Sequence, residues 1–211
     1  MPAWPVTAEE LVREQEKLAA AEPPPWTPAG VVAVGACFVC FDRDRGWAAA
    51  AATSVAVVEG KAGAPYQPGL LALREGALLE AAVQELGEQP DVLLVNATGR
   101  DHPRRAGLAL HLGAVLDLPT VGITHRLLLA EGDWPPDERG AKGPFHLGGE
   151  LVGYWLRTRR GTRPLGVHAA WRTDADTAAN LVAAGIGSTR TPEPLRRARQ
   201  LARTARASAR L

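Results

Sequence analysis

Glu75, Asn96, His102 and His125 stand where an α/β chain collects its chemistry. Open α/β sheets put their sites at the carboxyl ends of parallel strands and in the loops that follow. Asn96 closes the apolar run Asp91-Val92-Leu93-Leu94-Val95-Asn96. His102 lies in the loop beyond it, and His125 follows the apolar run from Thr120 to Thr124. Glu75, preceded by Arg74, falls near the start of an apolar helix. Carboxylate and amide oxygens are hard donors that suit Mg²⁺, which demands near-octahedral oxygen coordination. Hydrolysis assisted by two metal ions needs such carboxylates to converge from several strands. Cys37, Glu75, His102 and His125 are also ligand types that Zn²⁺ accepts. No close-spaced ligand pair occurs among them, and a buried structural cysteine with two polar loop histidines accounts for the same residues.

The elements that must position these groups follow from periodicity. Thr7-Ala8-Glu9-Glu10 is a capping box and predicts a helix to about Ala21, ended by Pro23, Pro24 and Pro25. Val31 to Phe41 is apolar and rich in β-branched residues, as a buried strand is. A turn at Asp42-Arg43-Asp44-Arg45-Gly46 leads into one or two strands between Trp47 and Gly60, so the first strands are antiparallel. A Pro/Gly loop spans 61–69, and a helix is predicted from Leu70 to Leu86. Strands at 91–96 and 120–124 flank a helix from about Ala106 to Leu116, which gives a parallel portion. Residues 127–149 are expected to be a long polar loop. Glu150 to Arg157 and Pro164 to Ala170 are expected to form a hairpin. Asp174 or Thr177 opens a helix towards Ala184, and Thr191-Pro192-Glu193-Pro194 opens the last one. Antiparallel strands first and alternating α/β afterwards is the order of an RNase H-like fold: a mixed central sheet with flanking helices.

Composition sets the outer bounds. With 211 residues, 46% of them hydrophobic, the chain suits one folded domain over 1–211 and not a disordered segment. Its net charge of +1 is silent about nucleic acid. The distribution says more: from Arg196 onward there are six arginines and no acid. Such a segment attracts phosphates, although a solvated helix or a frayed tail has the same composition. There is no apolar run long enough to cross a bilayer and no basic-then-apolar leader, so no membrane association and a cytoplasmic monomer are expected. Cys37 and Cys40, three residues apart on one strand, lie roughly 10 Å from each other. That is too far for a disulfide, so free thiols are expected.

Several segments together resemble the endonuclease V family. Pro65-Tyr66-Gln67-Pro68-Gly69-Leu70-Leu71-Ala72-Leu73-Arg74-Glu75 is similar to the family block PYIPGxLxFRE. Pro90 to Gly99 resembles PDLxxVDGxG, and His102-Pro103-Arg104-Arg105-Ala106-Gly107-Leu108-Ala109 resembles HPRRxGxA. Asp117 to Ile123 resembles DxPTIGV, and Pro192-Glu193-Pro194-Leu195-Arg196 resembles the entry to the closing helix. The likeness runs from about residue 7 to about residue 200. It implies an RNase H-like fold and Mg²⁺-dependent nicking of DNA or RNA near deaminated bases, chiefly inosine. It also implies that Pro65, Tyr66, Gln67, Pro68 and Gly69 form a wedge that opens the helix beside the lesion, with Tyr66 at the tip. A rigid aromatic-tipped loop suits insertion because little entropy is lost. Arg104, Arg105 and the C-terminal arginines would then meet phosphates.

The same resemblance implies a changed metal site. The family's first-strand aspartate falls on Cys37, and the aspartate closing its middle strand falls on Asn96. Its lysine falls on His125, while Glu75 and His102 are kept. The late aspartate corresponds to Asp176, with Asp174 as competitor. Asp101, beside His102, could reach inward to compensate, and the third strand could be trimmed. Three carboxylates would bring three negative charges to a metal. Cys37, Glu75 and Asn96 bring one if the thiol is protonated, and sulfur is poorly matched to Mg²⁺. Weak binding of Mg²⁺, or of Mn²⁺, is expected. Three readings stay open: a nucleic-acid-binding homologue with weak or lost cleavage, an active endonuclease using Glu75, Asn96, Asp176 and His125, and a protein-interaction module on the same scaffold.

Overall fold

Alternation along two neighbouring strands sets the layers of this computed structural model, which describes residues 4–209. In strand β1 (Val34–Asp42), Cys37 and Val39 face one apolar cluster while Ala36 and Phe38 face the other. In β4 (Val92–Val95), Leu93 and Val95 share the first cluster and Val92 and Leu94 the second. A side-chain period of two puts these sets on opposite sheet faces. Helices α1 (Ala8–Ala20), α2 (Leu71–Gln84) and α3 (Leu108–Leu116) cover the Cys37 face. Helices α4 (Ala175–Ala184) and α5 (Glu193–Ser208) cover the Phe38 face.

The remaining strands are β2 (Arg45–Ala51), β3 (Val55–Lys61), β5 (Thr120–Thr124), β6 (Lys142–Leu147), β7 (Glu150–Leu156) and β8 (Leu165–Ala169). They form one sheet of eight strands in the order β3-β2-β1-β4-β5-β8-β7-β6. β1, β4 and β5 are parallel, and β3-β2-β1 is an antiparallel meander. The expected mixed sheet is therefore present. β3 is not trimmed: each of its seven residues is in register with β2. The capping box closes as expected, with Glu10 N–H donating to the Thr7 hydroxyl at 3.1 Å. Asp174 caps α4, accepting from Thr177 N–H at 2.6 Å.

One expectation fails. Residues 127–149 are not all loop, because β6 lies within them and pairs with β7. Pro144 and Gly143 hide its strand character, yet β6 is an edge strand, where proline costs no ladder bond. The missed signal is Gly148-Gly149, both at positive φ (59° and 82°), the geometry of a two-residue hairpin turn. The arginine-rich C-terminus is a helix, not a tail. Leu195, Ala198 and Ala202 bury its apolar stripe against the sheet. Arg210, the last of its arginines, lies outside the described residues. Cys37 and Cys40 are free thiols. Among the described residues no helix is long and apolar enough to cross a membrane.

Candidate nucleic-acid interface

The loop from β3 to α2 projects Tyr66, which is 67% exposed. Its far side is a tight turn. Leu70 N–H donates to Gln67 C=O at 3.1 Å, with Pro68 and Gly69 at the centre and Gly69 at φ 75°. Proline before a residue of positive φ is the sequence of a type II turn. The Gly69 carbonyl is held by three side chains from elsewhere in the chain. Arg104 Nη2 donates to it at 2.8 Å, Gln15 Nε2 at 3.4 Å, and His102 Nε2 lies at 3.2 Å. Arg104 Nε also donates to Gln15 Oε1 at 2.6 Å, and Arg104 N–H donates to His102 Nδ1 at 3.2 Å. An accepting Nδ1 fixes the proton on Nε2, so His102 is the donor to Gly69. His102 and Arg104 thus lock the Tyr66 loop from behind. Gln15, 1% exposed, completes the lock and carries no sequence signal, because nothing local marks it.

A cavity of about 240 Å³ opens beside this loop. Tyr66, Pro68, Gly69, Thr98, His102 and Leu128 are among the residues around it, so the lining mixes apolar surface with a few polar groups. The loop 97–107 that forms its floor packs tightly. Gly107 N–H donates to Gly99 C=O at 2.9 Å, and a Cβ on Gly107 would stand 2.4 Å from Thr98 O. Only glycine fits there.

A second cavity, of about 260 Å³, lies between β1 and α2 and brings Cys37, Glu75 and Asn96 together with Tyr66. Burial pushes the Glu75 carboxyl up to about 7, against the lowering effect of Arg74. Burial first, and Glu75 second, push the Cys37 thiol well above its ordinary value, so it is neutral at physiological pH. Asn96 is engaged from the opposite sheet face: Arg199 Nη2 donates to its Oδ1 at 3.1 Å. Arg74 does not enter the cavity. Its guanidinium lies 4.2 Å over the Phe41 ring and donates to Ala64 C=O and Arg43 C=O at 3.1 and 2.8 Å.

This donor set does not fit a hard divalent cation. Glu75 is its one carboxylate, the thiol is soft and neutral, and the amide oxygen already accepts from a cation. Among the described residues no group of three or more His, Cys, Asp or Glu is placed to hold a metal ion. Cys37, Glu75, His102 and His125 accordingly form no such group.

The other expected groups lie elsewhere. Asp176, on α4, accepts from the Tyr154 hydroxyl at 2.9 Å on the β7 side and is not brought to Glu75. Its competitor Asp174 is occupied as the α4 cap. Asp101 does not reach inward. It is fully buried and accepts from Leu128, Leu129 and Ala130 N–H at 2.7, 2.8 and 2.8 Å. Arg105 donates to Leu147 C=O at 2.6 Å and pairs with Glu150 at 3.3 Å. Its guanidinium and that of Arg104 are therefore committed to holding loops. His125 is exposed just past β5, and its pKa is lowered by partial burial and by Arg190 and Arg199.

Buried histidines give the fold a pH signature. Burial holds His102, His111 and His168 each at about 4, below the ordinary 6.5. Between those values the unfolded histidine is protonated and the folded one is not, so stability is lost as pH falls from 6.5 towards 4. Glu75 acts oppositely: its folded pKa lies above the unfolded 4.5, so its contribution shrinks as pH rises towards 7. Three groups outweigh one. The thermal midpoint should drop by several degrees between pH 7 and pH 5, and a midpoint flat or rising over that range would contradict this assignment.

Comparison with known proteins agrees with the geometry. The family model for endonuclease V matches residues 29–200. The chain is 44% identical over 138 residues to an endonuclease V of Roseiflexus sp. strain RS-1. That match covers 65% of this chain and 62% of the relative, so it spans less than two thirds of that protein. The crystal structure of endonuclease V from Streptomyces avermitilis is similar at a TM-score of 0.88 and 34% identity, covering 100% of this chain and 98% of that one. Endonuclease V of Ciona intestinalis, solved in complex with a 24mer DNA containing an inosine followed by a ribo-adenosine, shares the fold. Its TM-score is 0.79 at 20% identity, covering 96% of this chain and 100% of that one. Matched through most of its sequence and all of its backbone, the chain belongs to the endonuclease V family.

Proposed function

We propose that this protein binds nucleic acid carrying a deaminated base, chiefly inosine, and that metal-dependent cleavage is weak or lost in it. The observation that carries the reading is an asymmetry between two adjacent cavities. The one beside the Tyr66 loop is backed by a complete hydrogen-bonded lock on the Gly69 carbonyl. The one beside it offers a single carboxylate, Glu75, whose pKa is raised to about 7, so that it is only partly ionised at neutral pH.

In this reading Tyr66 enters the stack next to the lesion and the displaced base turns into the 240 Å³ cavity. Extruding a mispaired base costs less than extruding a paired one, which is itself a source of selectivity. The rigid turn keeps the wedge from losing entropy on insertion. His102, held neutral, donates to Gly69 and adds no charge beside the base. Affinity comes chiefly from phosphates, which do not need the carboxylates. A likeness to a relative solved with inosine-containing DNA supports the ligand class.

The test is a binding and nicking assay on strands that differ only by inosine or guanine, with Mg²⁺ and with Mn²⁺. Preferential, salt-sensitive binding without nicking is expected. Tyr66→Ala should reduce the preference for inosine about 10-fold while leaving the fold intact. Efficient Mg²⁺-dependent nicking would overturn the loss of cleavage, and equal binding to both strands would overturn the recognition of inosine. Binding to no DNA or RNA would favour a protein-interaction role.

A further inference from the structure

Asn96 lines both cavities, and the group that meets its oxygen is a guanidinium. Arg199 reaches it from α5, at the end of β4, across 103 residues of sequence. Its guanidinium lies 5.2 Å from the centre of the Phe38 ring, and that of Arg203 lies 5.8 Å from the same ring. Arg199 and Arg203 are one helical turn apart and share the α5 face that looks onto β1. Arg206, three residues further on, donates to Phe41 C=O at 3.2 Å.

Among the described residues no carboxylate lies within ion-pair distance of Arg199, Arg203 or Arg190. The charged neighbours that act on Arg199 are Arg203 and Arg190, and both repel it. His125 feels Arg190 and Arg199 together. The Arg199 Nε is buried and has no hydrogen-bond partner. Like charges gathered over an aromatic ring, with unused donors, are costly until an anion joins them. The cavity on the other side of Asn96 cannot supply a cation of its own, for the reasons of donor chemistry given above.

We propose that Arg199 stands in for a divalent cation at this site and, with Arg203, grips a phosphodiester of the bound strand without metal. The inference rests on the nucleic-acid reading and adds to it the residue and the mode of phosphate binding. A guanidinium suits the task because its planar fork of N–H donors meets two phosphate oxygens at once. Asn96 then positions the fork by accepting one Nη2 proton. A packed surface arginine that merely covers Phe38 would leave binding untouched when changed.

The experiment measures binding of an inosine-containing single strand in EDTA and in millimolar Mg²⁺ over a salt series. Wild type should bind equally in both. Arg199→Gln keeps a polar donor for Asn96, and should weaken binding about 10-fold in EDTA while lowering the salt slope by about one. Arg199→Lys keeps the charge but not the fork, so it should show a smaller loss at an unchanged slope. It also serves if the glutamine variant proves unstable by thermal melting. Lys17→Gln, on exposed α1, should bind as wild type does. An Arg199→Gln protein that binds like wild type overturns the clamp and leaves the nucleic-acid reading standing. A wild type that binds only with Mg²⁺ present also overturns the clamp. A wild type that binds no strand overturns both.

Discussion

Replacing Cys37 and Asn96 together by aspartate should raise Mg²⁺-dependent nicking of an inosine-containing strand by at least about 100-fold, since even residues that only orient metal ligands change activity by 10–100-fold. The two positions flank Glu75 in one cavity, so the change turns one carboxylate into three within it. The cost falls on the metal-free fold. Cys37 is fully buried and the Glu75 carboxyl is already raised to about 7, so new carboxylates beside it repel one another. The metal-free double variant should therefore melt below wild type and recover with Mg²⁺. At a concentration of 100 times the dissociation constant, binding to the folded state alone contributes about 2.7 kcal/mol. Arg199 would pair with the new carboxylate at position 96 and compete with the ion, so adding Arg199→Gln should increase the Mg²⁺ response. A folded double variant with neither a Mg²⁺-dependent rise in melting temperature nor nicking would show that lost ligands are not what limits cleavage.

Asp101→Ala should destabilise the protein by about 3–5 kcal/mol, in the range of changes that strand buried polar groups. Its carboxylate is the acceptor for three consecutive backbone N–H groups at Leu128, Leu129 and Ala130. Without it those donors lose their acceptor, and the Ala130 N–H is left unpaired in a buried position. The loop they belong to covers a small apolar cluster of Ala130, Phe145, Val152 and Trp155, and Leu128 borders the base-sized cavity. Stability and recognition should fall together. His168 reports on the same place. Thr124 Oγ1 donates to Arg126 C=O at 2.8 Å and lies 2.7 Å from His168 Nε2, so that nitrogen carries the proton. Nδ1 then faces Asp101 at 3.9 Å as a bare acceptor without a partner. Denaturant midpoints of Asp101→Ala and Asp101→Asn check the assignment. The amide variant keeps one oxygen and should lose about 2 kcal/mol; an alanine variant as stable as wild type would remove Asp101 from the role given to it.

Much of this protein is legible locally. Periodicity of apolar residues marks the helices and the buried strands, because a 3.6-residue or a two-residue repeat exposes one face to the core whatever lies opposite. The Pro68-Gly69 turn, the Thr7 capping box and the spacing of Cys37 and Cys40 are likewise set by neighbours within a few residues. The resemblance to endonuclease V is legible for the same reason: its blocks are short and contiguous. β6 escaped because its signal lies in the Gly148-Gly149 turn and its proline is tolerated only at an edge, which the strand's own residues do not announce.

What Glu75, Asn96, His102 and His125 do with their donors was decided by tertiary structure alone. Each meets partners 30 or more residues away, and only the folded sheet and its two helical layers set those distances. Folding placed His102, expected among the catalytic residues, and Arg104, expected to meet phosphates, on the Gly69 carbonyl. It committed Asp101 to backbone N–H groups and Asp176 to Tyr154. It also laid Arg199 against Asn96, where the sequence showed only one arginine among several. Residue type determines which chemistry is available, but hydrogen bonds and charge pairing act over about 3–4 Å, and chain separation carries no information at that scale.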